Sequence, residues 1–339
     1  IMKPFPNKIP LANLPTKIEK LERFSEQTGI SVYIKRDDLT GMEYSGNKIR
    51  KLEYAVREAL DQGADTLITC GGLQSNHCRA TAAAAVKLGL NTCLVLRSAD
   101  KEPPVDGNYF IDCLLGADVR IIDAESYRSR RGEIMEELAA EYAAAGRKAY
   151  IIPEGASNGI GTFGYLACMQ EIMEQERELG VTFDTIVDAV GSGGTFAGVC
   201  LANRLYGLNK RVVGINVCDD APFFRQRVSE IVEEAGAYLE EPVAIRPEEV
   251  EIIDGYVGRG YALSRQEELN FIRDFARMEG VLLDPVYTGK CMYGFTQEVK
   301  KGSFAGSKNV LFLHTGGLFS LFPVIIATDV LFTVHFITQ

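Results

Sequence analysis

The stretch Ser45-Gly46-Asn47-Lys48-Ile49-Arg50-Lys51-Leu52-Glu53 puts three cations within four positions, directly after a small-residue turn and before an apolar-periodic run. A lysine amine that is desolvated there and set beside other cations is a nucleophile able to condense with an aldehyde. Lys48 is the candidate. A second stretch, Gly191-Ser192-Gly193-Gly194-Thr195, follows the strand pattern of 186–190 and precedes a helical one. Glycines let backbone N–H groups converge on an anion, and a helix N-terminus adds a favourable dipole, so this reads as a phosphate cradle, with a plain tight turn as the alternative. A dinucleotide fingerprint would want glycine where Phe196 stands, although Asp219 suits a ribose contact. No Gly-Lys-Ser/Thr follows, which excludes a Walker loop.

Gly71-Gly72-Leu73-Gln74-Ser75-Asn76-His77 is another strand-to-helix loop, rich in side-chain donors. The helix start it opens suits a carboxylate, because first-turn N–H groups lack intrahelical partners. The plainer reading is that Ser75 caps the helix. It is no nucleophile elbow, since glycines do not flank Ser75 at the needed spacing. Asp284-Pro285-Val286-Tyr287-Thr288-Gly289-Lys290 and His314-Thr315-Gly316-Gly317 each set a hydroxyl beside glycine, where something can approach the backbone or where the chain merely turns. His77, His314 and His335 show no ligand spacing with each other or with the cysteines, so no metal is expected.

The elements that must position these residues alternate. Strand patterns fall at 32–35, 66–70, 92–96, 119–122, 149–152, 185–189, 212–217, 251–253 and 310–314. Helical patterns fall at 17–28, from 48 with apolar 52, 55, 56, 59 and 60, and at 77–88, 132–145, 165–179 and 196–205, with a capping box over 264–267 opening a further helix. Such alternation demands crossovers and hence largely parallel, helix-covered sheets. Four glycines between 155 and 164 would let the chain pass between lobes, so a smaller lobe is expected over 52–161, with 1–51 plus 162–339 forming the larger.

A length of 339 residues and 46% hydrophobic composition allow two lobes with cores of their own. A formal charge of -10 disfavours a nucleic-acid partner. Eight scattered cysteines without a CxxC pair suggest a reducing intracellular compartment, such as the cytoplasm. The N-terminus has no basic region followed by an apolar core, so no secretory signal is expected. The apolar stretch 318–337 is interrupted by Pro323, Asp329 and His335, and is expected to be a buried terminal segment rather than a membrane anchor.

With SGNKIRKLEY, GGLQSNH, GSGGT, DPVYTGK and HTGG in this order, from about Leu11 to Leu318, the chain resembles pyridoxal-phosphate enzymes of the tryptophan-synthase beta-type fold. Within them it is similar to the D-cysteine desulfhydrase and 1-aminocyclopropane-1-carboxylate deaminase family. The resemblance implies a two-lobed α/β protein with open, largely parallel twisted sheets, pyridoxal 5'-phosphate as cofactor, a small amino-acid substrate and a homodimer. It implies Lys48 as the Schiff-base lysine and Asn76 against the cofactor's phenolic oxygen. Gly191, Ser192, Gly193, Gly194 and Thr195 would hold the phosphate together with Lys51. Ser75, with Asn76 and His77, would hold the substrate carboxylate, and Tyr287 and Tyr261 would line the substrate side. Lys48, Ser75 and Tyr287 would be the catalytic groups, and Arg50 a surface or salt-bridge residue.

The family's deaminase branch has Glu after the tyrosine of DPVY and Leu after the histidine of the last loop. Here Thr288 and Thr315 stand there, as in the desulfhydrase branch. A carboxylate facing the pyridine nitrogen favours its protonated form and a strong electron sink, whereas a hydroxyl can only donate a hydrogen bond. Thiolate is a good leaving group and needs that sink less than cyclopropane opening does. The expectation is α,β-elimination on D-cysteine, with Lys48 taking the α-proton, giving pyruvate, hydrogen sulfide and ammonia. Lyases of L-cysteate or β-chloroalanine, a serine dehydratase, the aminocyclopropane deaminase and a non-catalytic cofactor-binding protein stay as alternatives, and handedness is open.

Overall fold

The computed structural model of the chain describes residues 5–325. The chain opens with β1 (Ile18–Lys20), α1 (Glu22–Thr28) and β2 (Ser31–Lys35), the two strands pairing antiparallel. Helix α2 (Lys48–Asp61) then leads to β3 (Thr66–Gly72), α3 (Asn76–Lys87), β4 (Asn91–Arg97), α4 (Gly107–Leu114), β5 (Asp118–Ile122), α5 (Ala124–Ala144) and β6 (Ala149–Ile151). These four strands form one all-parallel sheet in the order β5-β4-β3-β6. Helix α6 (Phe163–Leu179) returns the chain to the first sheet through β7 (Thr185–Val190), α7 (Gly194–Leu205), β8 (Arg211–Asn216), α8 (Ala221–Ala235) and β9 (Glu251–Ile253). The chain continues with α9 (Gln266–Glu279), α10 (Thr288–Lys300), β10 (Asn309–Leu313) and α11 (Leu321–Ile325). That sheet runs β1-β2-β10-β7-β8-β9, parallel apart from β1.

Strands covered on both faces read as apolar runs, and their period of two sorts each residue to one face. Ile186 and Val190 of β7 lie with Leu311 and Leu313 of β10 in a cluster that includes Leu52 and Val56 of α2, Phe163 of α6 and Phe196 of α7. Val187 and Ala189 lie with Val310, Phe312, Val213 and Ile215 in the cluster on the other face, under α1, α9 and α10. By parity Asp188 sits on the first face, toward α2.

The sheet strands follow the expected pattern to within a residue or so at their ends, and the differences have physical causes. The expected helix at 17–28 begins only at Glu22, because Ile18–Lys20 pair with β2 as an edge strand, a tertiary bond that outweighs local pattern. Helix α5 starts eight residues before Gly132: Asp123 caps it by accepting the Ser126 N–H, and Gly132 lies inside the helix. The capping box before α9 is shifted one residue, with the Glu268 carboxylate accepting the Arg265 N–H. Helices α4 and α8 were not in the sequence pattern, although Asp106 and Asp220 cap them and Pro222 stands in the first turn of α8.

The chain passes between the sheets twice, between β2 and β3 and between β6 and β7. We propose that the lobes divide at about 52 and 161, within those two passages. Of the apolar stretch 318–337, residues 326–337 lie outside the described residues. Among the described residues no helix is long and apolar enough to cross a membrane, no group of His, Cys, Asp and Glu could hold a metal ion, and all eight cysteines are free. The loops after β3, β6, β7 and β10 leave the carboxyl ends of parallel strands, where open α/β sheets bind ligands.

Candidate active site

Lys48 is the first residue of α2, set there by the turn Ser45–Asn47. That turn is packed against the loop after β10: the Asn47 N–H donates to the Thr315 carbonyl at 3.1 Å, and a Cβ on Gly46, whose φ is +117, would stand 2.8 Å from the same oxygen. Glycine is therefore required at 46. A cleft of about 380 Å³ opens beside it, lined by Asn47, Lys48, Asn76, Tyr287 and Thr315, by residues 189–193 and by Thr195 and Phe196. The Lys48 amine lies 5.6 Å from the centre of the Tyr287 ring. Burial depresses its pKa, and Asp188, Glu154 and Asp284 oppose that only in part, so more of it is the free base a nucleophile must be.

The glycine loop after β7 forms one end of the cleft. Gly193 has φ +91 and provides no side-chain cap to α7, and Gly193, Thr195 and Phe196 at that end of the helix line the cleft. A Cβ on Gly191 would meet the Tyr287 ring at 2.7 Å, and one on Gly194 would meet Ser157 Oγ at 2.6 Å. Ser157 ties the loop together: its hydroxyl accepts the Gly194 N–H at 3.2 Å, bonds Ser192 Oγ at 2.7 Å and lies 3.5 Å from Lys51 Nζ. Asn47 donates to Thr195 Oγ1 at 2.8 Å, fixing the loop to the start of α2. Lys51 is fully buried behind the loop, and burial followed by repulsion from Lys48 pushes its pKa well down. Among the described residues no carboxylate contacts the Lys51 amine, and its place beside the glycine loop suits an anion.

Asn76, the first residue of α3, lines the cleft, and its Oδ1 accepts from Asn108 Nδ2 at 2.9 Å. Its neighbours in the loop face elsewhere. Ser75 caps α3, its oxygen accepting the Cys78 N–H at 3.1 Å, as the plainer reading held. His77 is buried with Nε2 2.8 Å from Thr69 Oγ1. Because that hydroxyl donates to the Ile152 carbonyl, His77 must be the donor at Nε2, and its Nδ1 is left without a partner. Burial and the two lysines keep it neutral. Neither Ser75 nor His77 lines the cleft.

On the opposite wall the Tyr287 and Tyr261 hydroxyls bond each other at 2.5 Å with the rings edge to face. Burial raises the pKa of both, so they stay protonated donors. Tyr261 lies behind Tyr287, under the Arg97 guanidinium. The two threonines separate. Thr315 lines the cleft, whereas the Thr288 hydroxyl donates to Asp284 Oδ1 at 2.7 Å and accepts the Asp284 N–H at 2.8 Å. Having given its single hydrogen to Asp284, Thr288 has none to offer the cleft.

Sequence reasoning passed over four residues. Ser157 stands among the glycines between 155 and 164, where the chain passes between lobes. Asn47 lies inside the opening motif with no signal of its own beside the three cations. Asn108 is on an unexpected helix. Asp188 lies in a run read as apolar, and one acid in the centre of a buried strand was the available signal. Both its carboxylate oxygens lack partners, and burial lifts its pKa to about 8 against the pull of Lys51 and then Lys48. Arg50 proves to be buried, in an ion pair with Asp37 at 2.7 Å and with Glu171 at 3.1 Å.

These groups fit pyridoxal phosphate: an amine for the aldehyde at Lys48, a glycine cradle with Lys51 and Ser157 for the phosphate, and Asn76 for the ring oxygen. The pyridoxal-phosphate-dependent enzyme model matches residues 9–316. The chain is 43% identical over 321 residues to the bifunctional D-cysteine desulfhydrase/1-aminocyclopropane-1-carboxylate deaminase, mitochondrial, of Arabidopsis thaliana, covering 92% of this chain and 78% of that one. It is 38% identical to the D-cysteine desulfhydrase of Yersinia enterocolitica, covering 93% of this chain and 95% of that one. Among solved structures an ACC deaminase homologue superposes with a TM-score of 0.87 at 40% identity, covering 95% of both chains, and a threonine deaminase with 0.64 at 20% identity shares the fold. The chain belongs to the pyridoxal-phosphate-dependent enzymes, within the family of D-cysteine desulfhydrase and 1-aminocyclopropane-1-carboxylate deaminase.

Proposed function

We propose that the protein eliminates the β-substituent of a small amino acid, D-cysteine foremost, converting it with one water into pyruvate, hydrogen sulfide and ammonia. One observation carries this: among the described residues none that lines the cleft bears a carboxylate, and the only threonine there besides Thr195 of the cradle is Thr315. Bound pyridoxal phosphate supplies a sink for the electron pair left at Cα, and without a facing carboxylate that sink is modest. A modest sink suffices to expel thiolate and disfavours opening a strained ring of carbon. The relatives' names include both activities, and this feature favours the first.

Lys48 Nζ, kept unprotonated by desolvation, takes the proton from Cα. Tyr287, neutral and hydrogen-bonded to Tyr261, has its ring beside the Lys48 amine, and its hydroxyl can return a proton to the departing sulfur. Asn47, through Thr195, and Ser157 brace the glycine loop that would hold the phosphate end, which would keep the reacting carbon beside Lys48. Sulfide and pyruvate are to be measured on both enantiomers of cysteine, serine and cysteate and on aminocyclopropane carboxylate. Sulfide and pyruvate in equal amounts from D-cysteine at the highest kcat/KM support the proposal. A higher kcat/KM on aminocyclopropane carboxylate overturns it.

A further inference from the structure

We propose that Asn108 is a positioning residue that sets which end of the Asn76 side-chain amide faces the cofactor, with Arg79 holding Asn108 in turn. The argument is one of donors and acceptors. Arg79 is fully buried, and a guanidinium can only donate. Its Nε lies 2.6 Å from Asn108, so the Asn108 atom there is Oδ1. The other end of that amide is then the NH2 group, and it indeed reaches the Gln74 carbonyl, a pure acceptor, at 2.9 Å. The same NH2 lies 2.9 Å from Asn76, so the Asn76 atom facing it must be Oδ1. Asn76 is thereby left with its NH2 as the group it can turn to the cleft it lines.

An amide left to itself can rotate by half a turn and present either end. Here rotation would set NH2 against NH2, and the buried Asn108 has no other orientation that satisfies Arg79. Arg79 does a second task with the same cation: its two remaining nitrogens donate to the carbonyls of Glu43 and Ser45, the latter at 2.8 Å, in the segment that leads into Lys48. One buried guanidinium thus orients both the cofactor-facing amide at the start of α3 and the turn that carries the reactive lysine. The inference rests on pyridoxal phosphate occupying the cleft and not on which substrate is used.

The test reads the cofactor. A donor to the ring oxygen favours its ionised form and lowers the pH at which the visible band of the holoenzyme titrates. Asn108→Asp keeps an acceptor for Arg79 but offers Asn76 only acceptors, so the Asn76 amide turns and sets its oxygen toward the ring. The titration midpoint should rise by roughly one to two pH units, the loss of one hydrogen bond to a charged group. Lys51, Asp188, Glu154 and Asp284 around Lys48, and Asp112 beside Arg79, are common to parent and variant. Ser320→Ala removes the third and longest contact of the Asn108 NH2 group, at 3.4 Å, and leaves the relay intact, so it should not move the midpoint. An unmoved midpoint in Asn108→Asp, or an equal shift in Ser320→Ala, overturns the assignment. A parent that shows no visible band when loaded overturns the cofactor reading instead, and a band without D-cysteine turnover overturns only the proposed substrate.

Discussion

In the proposed mechanism a single lysine carries the chemistry, and its surroundings are built of groups that would be unstable alone. Lys48→Ala removes both the amine that bonds the aldehyde and the base, so the visible band of the lysine-bound cofactor should vanish and kcat/KM on D-cysteine should fall by at least roughly 10³-fold. Retained turnover would take Lys48 out of the mechanism. Asp188 is a subtler case. Its carboxyl is held protonated to about pH 8, whereas the unfolded chain releases that proton near the ordinary value of 3.8. The folded state therefore binds the extra proton in that window, and the stabilisation is lost as pH rises toward 8. In the cofactor-free protein Lys51 works the other way, since burial depresses its pKa and folding then releases a proton. Asp188→Asn deletes only the first slope. Between about pH 5 and about pH 8 the melting temperature of the cofactor-free variant should fall less than that of the parent, while Asp112, also raised to about 8, contributes equally to both. An equal or steeper fall would show that Asp188 is already ionised.

At the scale of elements, the start of α10 separates the two threonines that the branch comparison treats as a pair. Asp284 folds its carboxylate over the first turn, accepting the N–H groups of Val286, Tyr287 and Thr288 at 2.7–2.9 Å, and the Thr288 hydroxyl completes that cap. Thr315 has no such duty and stands at the cleft. Thr288→Glu should therefore cost stability as well as activity, by about 1 kcal/mol for the lost cap. Thr315→Leu should leave the melting temperature within a degree or two and still lower sulfide release roughly tenfold or more. Together, Thr288→Glu with Thr315→Leu should abolish most desulfhydration. Undiminished sulfide release in the double variant would sink the branch assignment.

The whole molecule is joined at a buried knot of charge behind the reactive helix. Arg50 of α2 meets Asp37, just past β2, and Glu171 of α6, while Lys35 of β2 also donates to Glu171 and the Tyr165 hydroxyl donates to Asp37. Three segments that pass between or beside the sheets are thus held to one another. Removing the guanidinium leaves the buried Asp37 carboxylate without its ion-pair partner, while Glu171 keeps Lys35, so Arg50→Ala should destabilise the protein by about 3–5 kcal/mol. That corresponds to a melting temperature lower by on the order of 4–7 °C, measurable by thermal unfolding of the loaded enzyme. A loss under about 1 kcal/mol would mean that water enters the knot and shares the charge.

The strand and helix alternation, the glycine cradle and the lysine turn were legible in the chain because each is a local signal: a period of 2 or 3.6, a glycine run after a strand, a cation after a small-residue turn. Local signals failed where partners are remote. Ile18–Lys20 became a strand because β2 lies beside it, and α10 begins inside what reads as a loop because Asp284 bends back to cap it. The residues that complete the site follow the same division. Lys48 and Gly191–Thr195 announce themselves by type and spacing, whereas Ser157 beside Gly194, Asn108 behind Asn76 and Asp188 near Lys51 act across 37, 32 and more than a hundred residues of chain. Type and spacing settle which groups can react. Which way an amide points, whether a threonine still has a hydrogen to give, and whether an arginine meets water or a buried carboxylate are settled by donors, acceptors and burial that exist only once the two sheets have closed.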